Sequence, residues 1–389
     1  MKRIFAMLLC LCMIFAIVAC DTKGGNEETT AANGENTTAA NGENTTTANG
    51  ENTTAGGTTE NTEAEYKLGM GIVVSTESSA AEKPQVDATV AAVVLDADGK
   101  IVACRLDAVQ NKATIADGVV TATNLKTKME LGDDYNMAKH GQSMDWNGDG
   151  VVKEWYDQAK AFENYVVGKT VAEVEAIETQ VVEGSGYVIA KDDALLSAGC
   201  TIQITDFVAA VVKACKDEQG TGFKAVADSF TLGVAANSAD TSVAATAETT
   251  GTVQMFSDFA ATVVVDGKIV AALNDAIQPK IAFNLDGTIG ETDFGGTKRE
   301  LKEDYHMAAY GQSMDWNGDG KVLEWYVQSA EFSKYVVGKT AAEVEAMATK
   351  VVEGSGYIIS AEDALLSAGC TIQITDIKAV VAEAVNNAK

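Results

Sequence analysis

The sequence predicts an α+β protein of two tandem homologous domains, each a small antiparallel sheet packed with helices, behind a disordered tether. Three observations lead there. The chain repeats itself at an offset of 170 residues: Tyr135 matches Tyr305, Asp145 matches Asp315, Tyr165 matches Tyr335 and Thr201 matches Thr371. Within each copy, apolar runs of strand length come first and runs of helical period come later. Residues 21–65 contain no Val, Ile, Leu, Met, Phe, Tyr or Trp, so they cannot bury enough apolar surface to offset the entropy of ordering.

In chain order, Lys2 and Arg3 precede an apolar run from Ile4 to Val18. That is a secretory signal over residues 1–19, too short and wrongly flanked for a lasting membrane span. Ile17-Val18-Ala19-Cys20 resembles the bacterial lipobox, which makes Cys20 the lipidation site and places the chain on the outer face of the cell membrane. Each buried methylene of an attached lipid adds about 0.8 kcal/mol of anchoring. Residues 20–65 then form the tether, repeating Ala-Asn-Gly-Glu-Asn-Thr-Thr from Ala32, Ala40 and Ala48. A flexible coil of about 45 residues averages roughly 35–40 Å end to end, which lifts the domains off the membrane.

The formal charge is −27, and becomes −29 once Lys2 and Arg3 leave with the signal. So acidic a chain does not bind nucleic acid through phosphate neutralisation. After the signal and Cys20, four cysteines remain, Cys104, Cys200, Cys215 and Cys370, with no CxxC pair and no dense disulfide framework. The domains must therefore rest on packed cores. The repeats are expected over residues 66–220 and 221–389, meeting near residues 216–224.

In the first copy, Ala88–Leu95 and Ile101–Leu106 flank Asp96-Ala-Asp-Gly-Lys100 and read as a hairpin; in the second, Ala260–Val265 and Ile269–Leu273 flank Asp266-Gly-Lys268. Residues 152–167 carry Trp155, Ala159, Phe162 and Val166 at helical spacing. Thr170-Val-Ala-Glu173 and Thr340-Ala-Ala-Glu343 are capping boxes, each starting a helix. Thr205-Asp206 and Thr375-Asp376 are placed to cap a last helix in each copy.

Two repeated stretches carry candidate chemistry. The first is Asp193–Asp206, which recurs letter for letter as Asp363–Asp376. At its centre, Gly199-Cys200-Thr201 and Gly369-Cys370-Thr371 set one secondary hydroxyl among small residues, with Ser197 and Ser367 just before. A bulky phosphate-bearing group meets little obstruction there. The plainer reading is a helix ending at Ala-Gly, followed by a strand over residues 200–204 and 370–374. The cysteines suit small buried hydrophobes. The second stretch is Asp145-Trp-Asn-Gly-Asp-Gly150, repeated at Asp315–Gly320. Asp145, Asn147 and Asp149 (Asp315, Asn317 and Asp319 in the second copy) place oxygens at positions 1, 3 and 5 of an EF-hand-like loop. Val151 and Lys321 would add backbone carbonyls, and Glu154 and Glu324 would close a Ca²⁺ set. The alternative is an Asx turn leading into a helix. Lys128-Met-Glu130 and Lys298-Arg-Glu300 read as surface ion pairs, the alternative being contact with a flavin phosphate, and Trp146, Trp155, Trp316 and Trp325 read as packing residues, the alternative being one per domain stacked on a flavin ring. His140 and His306 are not equivalent, so no Ser-His-Asp triad can be built in both copies.

Gly-Cys-Thr resembles the Gly-Ala-Thr core of the motif modified by the bacterial flavin transferase, and the Asp-Gly-Lys-Ile hairpin resembles the front of FMN-binding domains. Leu195 and Leu365 stand where that motif usually has Asp. With the lipobox, tether and duplication, the chain is similar to the flavinylated, PplA-like surface lipoproteins of Gram-positive extracellular electron transfer. The resemblance implies FMN linked covalently to Thr201 and Thr371 by a flavin transferase. It also implies a membrane electron donor, such as a quinone-linked dehydrogenase, and an electron carrier rather than an enzyme. The alternative function is a calcium-stabilised surface binding or adhesion lipoprotein without redox activity.

Overall fold

The computed structural model describes residues 62–140, 150–310, 322–354 and 356–389. The signal, Cys20 and nearly all of the tether lie outside the described residues, as do Asp145, Asn147, Asp149, Asp315, Asn317, Asp319 and Lys321. Of the expected tether, Glu63–Glu65 already belong to the first strand.

In the first repeat β1 (Glu63–Ser75), β2 (Gln85–Leu95), β3 (Ile101–Ala116) and β4 (Val119–Asn124) run up and down. Then come α1 (Lys128–Leu131), α2 (Trp155–Val166), α3 (Val171–Glu175), a small hairpin of β5 (Thr179–Val181) and β6 (Val188–Ala190), α4 (Asp193–Ser197) and α5 (Thr205–Cys215). The second repeat opens with β7 (Thr221–Val226), β8 (Thr231–Asp240), β9 (Gly251–Val253), β10 (Met255–Val265), β11 (Lys268–Ile277), β12 (Lys280–Phe283) and β13 (Ile289–Asp293). Its helical half repeats the first: α6 (Lys298–Leu301), α7 (Trp325–Tyr335), α8 (Ala341–Glu345), β14 (Thr349–Val351), β15 (Ile358–Ser360), α9 (Asp363–Ser367) and α10 (Thr375–Asn386). The α+β class read from the sequence is the class observed.

The first sheet has the order β4-β3-β2-β1-β7, all antiparallel. Its edge strand β7 comes from the second repeat and pairs with β1 from Glu63–Val226 to Leu68–Thr221. In the second repeat the same surface is split into two sheets, β11-β10-β8 and β13-β12-β9. Pro279 sits at the break between β11 and β12, where Asn111 continues β3 in the first copy; proline has no N–H to give the ladder.

The two sheets face each other. Val86, Val90 and Val94 on one inner face and Phe259, Val263 and Ile277 on the other share a single core. On the outer face of the first sheet, Val93, Ile101 and Leu106 pack against Phe162 of α2 and Phe207 and Val211 of α5. On the outer face of the second, Ala260 and Ile269 pack with Phe332 of α7 and Val380 of α10. The layers are helix, sheet, sheet, helix, and both repeats lie within one compact unit, Thr59–Lys389. Strands covered on both faces read as nearly unbroken apolar runs, which is the pattern of Ala88–Leu95.

Helix and sheet come unusually close where glycine allows it. A Cβ on Gly71 would lie 2.3 Å from the Ala210 carbonyl oxygen of α5, and one on Gly233 would lie 1.8 Å from that of Ala384 in α10. The capping boxes form as read: Thr170 and Thr340 accept from Glu173 and Glu343 backbone N–H groups, and the glutamates reach back. Two expectations are corrected. Thr205 and Thr375 are the first helical residues, behind Ile204 and Ile374, and give no side-chain cap. Residues 200–204 and 370–374 are not strands; Cys200, Ile202 and Ile204 turn into the core beneath α2 and α5, Thr201 is buried beside them, and only Gln203 is exposed.

Candidate functional site

Each repeated threonine is delivered by a helix end and fixed by a buried glutamine. In the second copy α9 stops at Ala368, and Gly369 turns the chain at φ +91°. Leu365 accepts from the Cys370 N–H at 3.2 Å, which drives Cys370 into the core. Thr371 then meets Gln328 of α7. Gln328 Oε1 accepts from the Thr371 backbone N–H at 2.7 Å and from its hydroxyl at 3.2 Å. Gln328 Nε2 donates to the Leu323 carbonyl at 2.7 Å, and the side chain has no exposed surface. The first copy repeats this: Gln158 Oε1 accepts from Thr201 N–H (2.9 Å), its hydroxyl (3.2 Å) and Ile202 N–H (3.1 Å).

Thr371 forms part of the wall of a cavity of about 300 Å³, with Phe256, Asp258, Lys298, Tyr305 and Trp325. Lys298 is buried, and its ammonium lies 4.7 Å, 4.9 Å and 5.2 Å from the ring centres of Phe256, Tyr305 and Trp325. This aromatic cage holds a cation by its ring quadrupoles. Burial pulls the Lys298 pKa down to about 8, against the opposing charges of Asp258 and Asp275. Burial likewise pushes Asp258 up to about 7, with Lys298 pulling the other way.

The sequence around Lys298 explains its placement. Thr297 and Glu300 form a reciprocal capping box. Asp275 on β11 accepts from the Ala276 N–H at 2.8 Å and the Arg299 N–H at 3.0 Å, which ties that turn to the sheet. Lys298 is thereby aimed inward, so the surface ion-pair reading is corrected. A smaller cavity of about 180 Å³ shares Gln278, Lys298 and Tyr305 and is lined also by Phe294, Gly295 and Gly296.

The first copy holds the same cation differently. The Lys128 ammonium lies 5.0 Å from Tyr135 and 5.4 Å from Trp155. Burial lowers its pKa; Asp87, Asp206 and Asp107 oppose the fall. Pairing of β2 with β3, set beside that of β10 with β11, puts Thr89 where the second copy has Asp258.

Of the other residues read as cofactor contacts, Ser197 and Ser367 are exposed at the ends of α4 and α9, and Gly199 and Gly369 make the turns. Cys200 and Cys370 are fully buried, and burial pushes both thiols up to about 12. Ser367, Gly369 and Cys370 do not line the cavity around Thr371. Leu195 and Leu365 are core residues with no exposed surface.

Among the expected calcium ligands, Val151 is exposed, and Glu154 and Glu324 precede α2 and α7. Their carboxylates accept from the Met137 and Met307 N–H groups, both at 2.8 Å, and so tie a turn to a helix start. Among the described residues no group of three or more His, Cys, Asp or Glu is placed to hold a metal ion.

Reading the sequence alone passed over Gln158, Gln328, Phe256 and Asp258. Gln158 left a signal: it is a polar residue on the apolar face of α2, three after Trp155 and four before Phe162, and it recurs at the repeat offset as Gln328. Asp258 and Phe256 left none, because they occur in only one copy. Comparison with protein-family models, curated proteins and solved structures gives no match for this chain.

Proposed function

We propose that the protein is a membrane-anchored extracellular electron carrier holding FMN linked to Thr201 and Thr371. The observation that carries this reading is Thr371, buried at 3% exposure, in the wall of an aromatic-lined cavity that also presents the Lys298 cation. A cavity near 300 Å³ is of small-molecule size. Bound FMN supplies exchange of one or two electrons. The chain's own residues do the rest. Phe256, Tyr305 and Trp325 exclude water and offer ring faces; Lys298 offsets negative charge; Gln328 accepts a hydrogen bond from the Thr371 hydroxyl and holds that oxygen in place, while the transferase would have to remove its proton and the phosphate's leaving group. A flavin transferase makes the link, a membrane donor such as a quinone-linked dehydrogenase supplies electrons, and lipid on Cys20 with the residue 20–65 tether sets the reach. In this reading the chain carries electrons and has no turnover of its own.

The test is expression with the signal and lipobox replaced, in a host carrying the transferase, followed by a denaturing gel under ultraviolet light. A fluorescent band is expected. Thr201→Ala with Thr371→Ala should abolish it, and each single change should leave a weaker band. A dark band from a colourless protein would contradict the proposal.

A further inference from the structure

Asp258 is a buried acid with nothing to hold it. It is 3% exposed and lines the cavity of about 300 Å³, yet among the described residues its carboxylate has no hydrogen bond and no ion pair. The charge that bears on it most is Lys298, 7% exposed on the same wall. The two nevertheless stand beyond ion-pair distance. The Lys298 ammonium faces the rings of Phe256, Tyr305 and Trp325 and has no hydrogen-bond acceptor among the described residues. A carboxylate and an ammonium thus face one cavity, each with its hydrogen bonds unmade.

Burying a charged group with its hydrogen bonds unmade is strongly unfavourable. The fold of the repeat does not require it, because the first copy does without it. Thr89 stands there at the Asp258 position. Two residues earlier, Asp87 replaces Phe256, and that carboxylate is held by Gln85 Nε2 at 2.7 and 2.9 Å. In the second copy the acid is inside the cavity and its partner must come from outside the chain. The partner has to give a proton donor to Asp258, offer an acceptor to Lys298, and lie flat enough to pack on ring faces.

We propose that the second repeat reads the edge of a planar heterocycle in which an N–H lies between two carbonyl groups, with Asp258 accepting from the N–H and Lys298 donating to a neighbouring carbonyl oxygen. This rests on the flavin reading and deepens it, since the pyrimidine edge of a flavin ring has that pattern. Asp258 is then the specificity residue of the second site. The first repeat has no carboxylate at that position, so its hold on the ring is weaker.

The probe is lumiflavin, which has the ring and no phosphate, titrated into the full mature chain made in a host without the transferase. Quenching of its fluorescence should saturate at one equivalent. Lumiflavin methylated at the N–H between the carbonyls should bind roughly tenfold more weakly or worse, because it leaves Asp258 unmet. Asp258→Thr copies the first repeat and should weaken lumiflavin by a similar factor while raising the melting temperature of the ligand-free chain; an acid with a merely structural role would lower it. No saturable quenching would overturn the proposal, even beside a fluorescent gel band from the transferase host. Two equal sites, or equal affinity for the methylated ring, would overturn it too. Saturable binding that needs the N–H would support it even if that gel band were dark.

Discussion

At the scale of single residues, Gln328 joins three chain segments with one amide. It accepts from the Thr371 N–H and hydroxyl and donates a hydrogen bond to the Leu323 carbonyl. Gln328→Met keeps the volume but leaves the buried Thr371 N–H unmet, at a cost of about 1–3 kcal/mol. The expected outcome is loss of flavin from the Thr371 peptide with the Thr201 peptide still labelled, read by peptide mass mapping. Asp107 makes a second residue-scale prediction. Burial holds its carboxyl up to about 7, and Asp275 to about 6. The folded chain thus binds protons more tightly than the unfolded one above the ordinary carboxylate range. Stability is complete at the acid end of that window and falls as pH rises through about 7. Exposed acids with lowered pKa, such as Glu173 and Asp192, have finished titrating below it. Melting temperature should fall between about pH 5 and pH 8, and Asp107→Asn should flatten the fall. Thr201 and Thr371 stood out in the sequence because a hydroxyl among small residues is a local feature; that both are buried against Gln158 and Gln328 did not, since those glutamines lie 43 residues away. The inward aim of Lys298 was not, since it depends on Asp275, which is over twenty positions away.

Elements followed the sequence where a local rule decides them. The Thr–Glu capping boxes, the hairpins and α2 are set by spacing alone. Residues 200–204 misled because their apolar spacing serves an irregular segment whose Cys200, Ile202 and Ile204 enter the core with no strand to pair. The approach of α5 and α10 to the sheets rests on Gly69, Gly71 and Gly233, whose meaning appears only when the helix is in place. Gly233→Ala should cost about 3 kcal/mol or more, at or beyond the top of the usual overpacking range, because the obstacle is backbone. Gly222→Ala is the control: its nearest contact would be 3.8 Å away, and it should cost under about 1 kcal/mol. Urea midpoints of the two variants check the contrast.

For the whole molecule, the repeat was plain in the sequence but the joint was not. At this size each repeat reads as a domain with a single core of its own, and that expectation is corrected. Here Val86, Val90, Phe259 and Ile277 belong to one core, and β7 of the second repeat completes the sheet of the first. Each large side chain so buried contributes roughly 1.5–3 kcal/mol, and separation would expose that whole inner face. The chain should therefore unfold in a single transition by calorimetry and by tryptophan fluorescence, and residues 66–220 expressed alone should fail to fold. Two separated transitions would contradict the shared core.

The central claim is that the repeated threonines carry flavin. The most direct measurement is the intact mass of the denatured mature chain recovered from membranes of a host carrying the transferase, followed by peptide mapping. The account predicts two FMN additions, one on the Thr201 peptide and one on the Thr371 peptide. A chain of unmodified peptide mass with no flavin released on denaturation would contradict it.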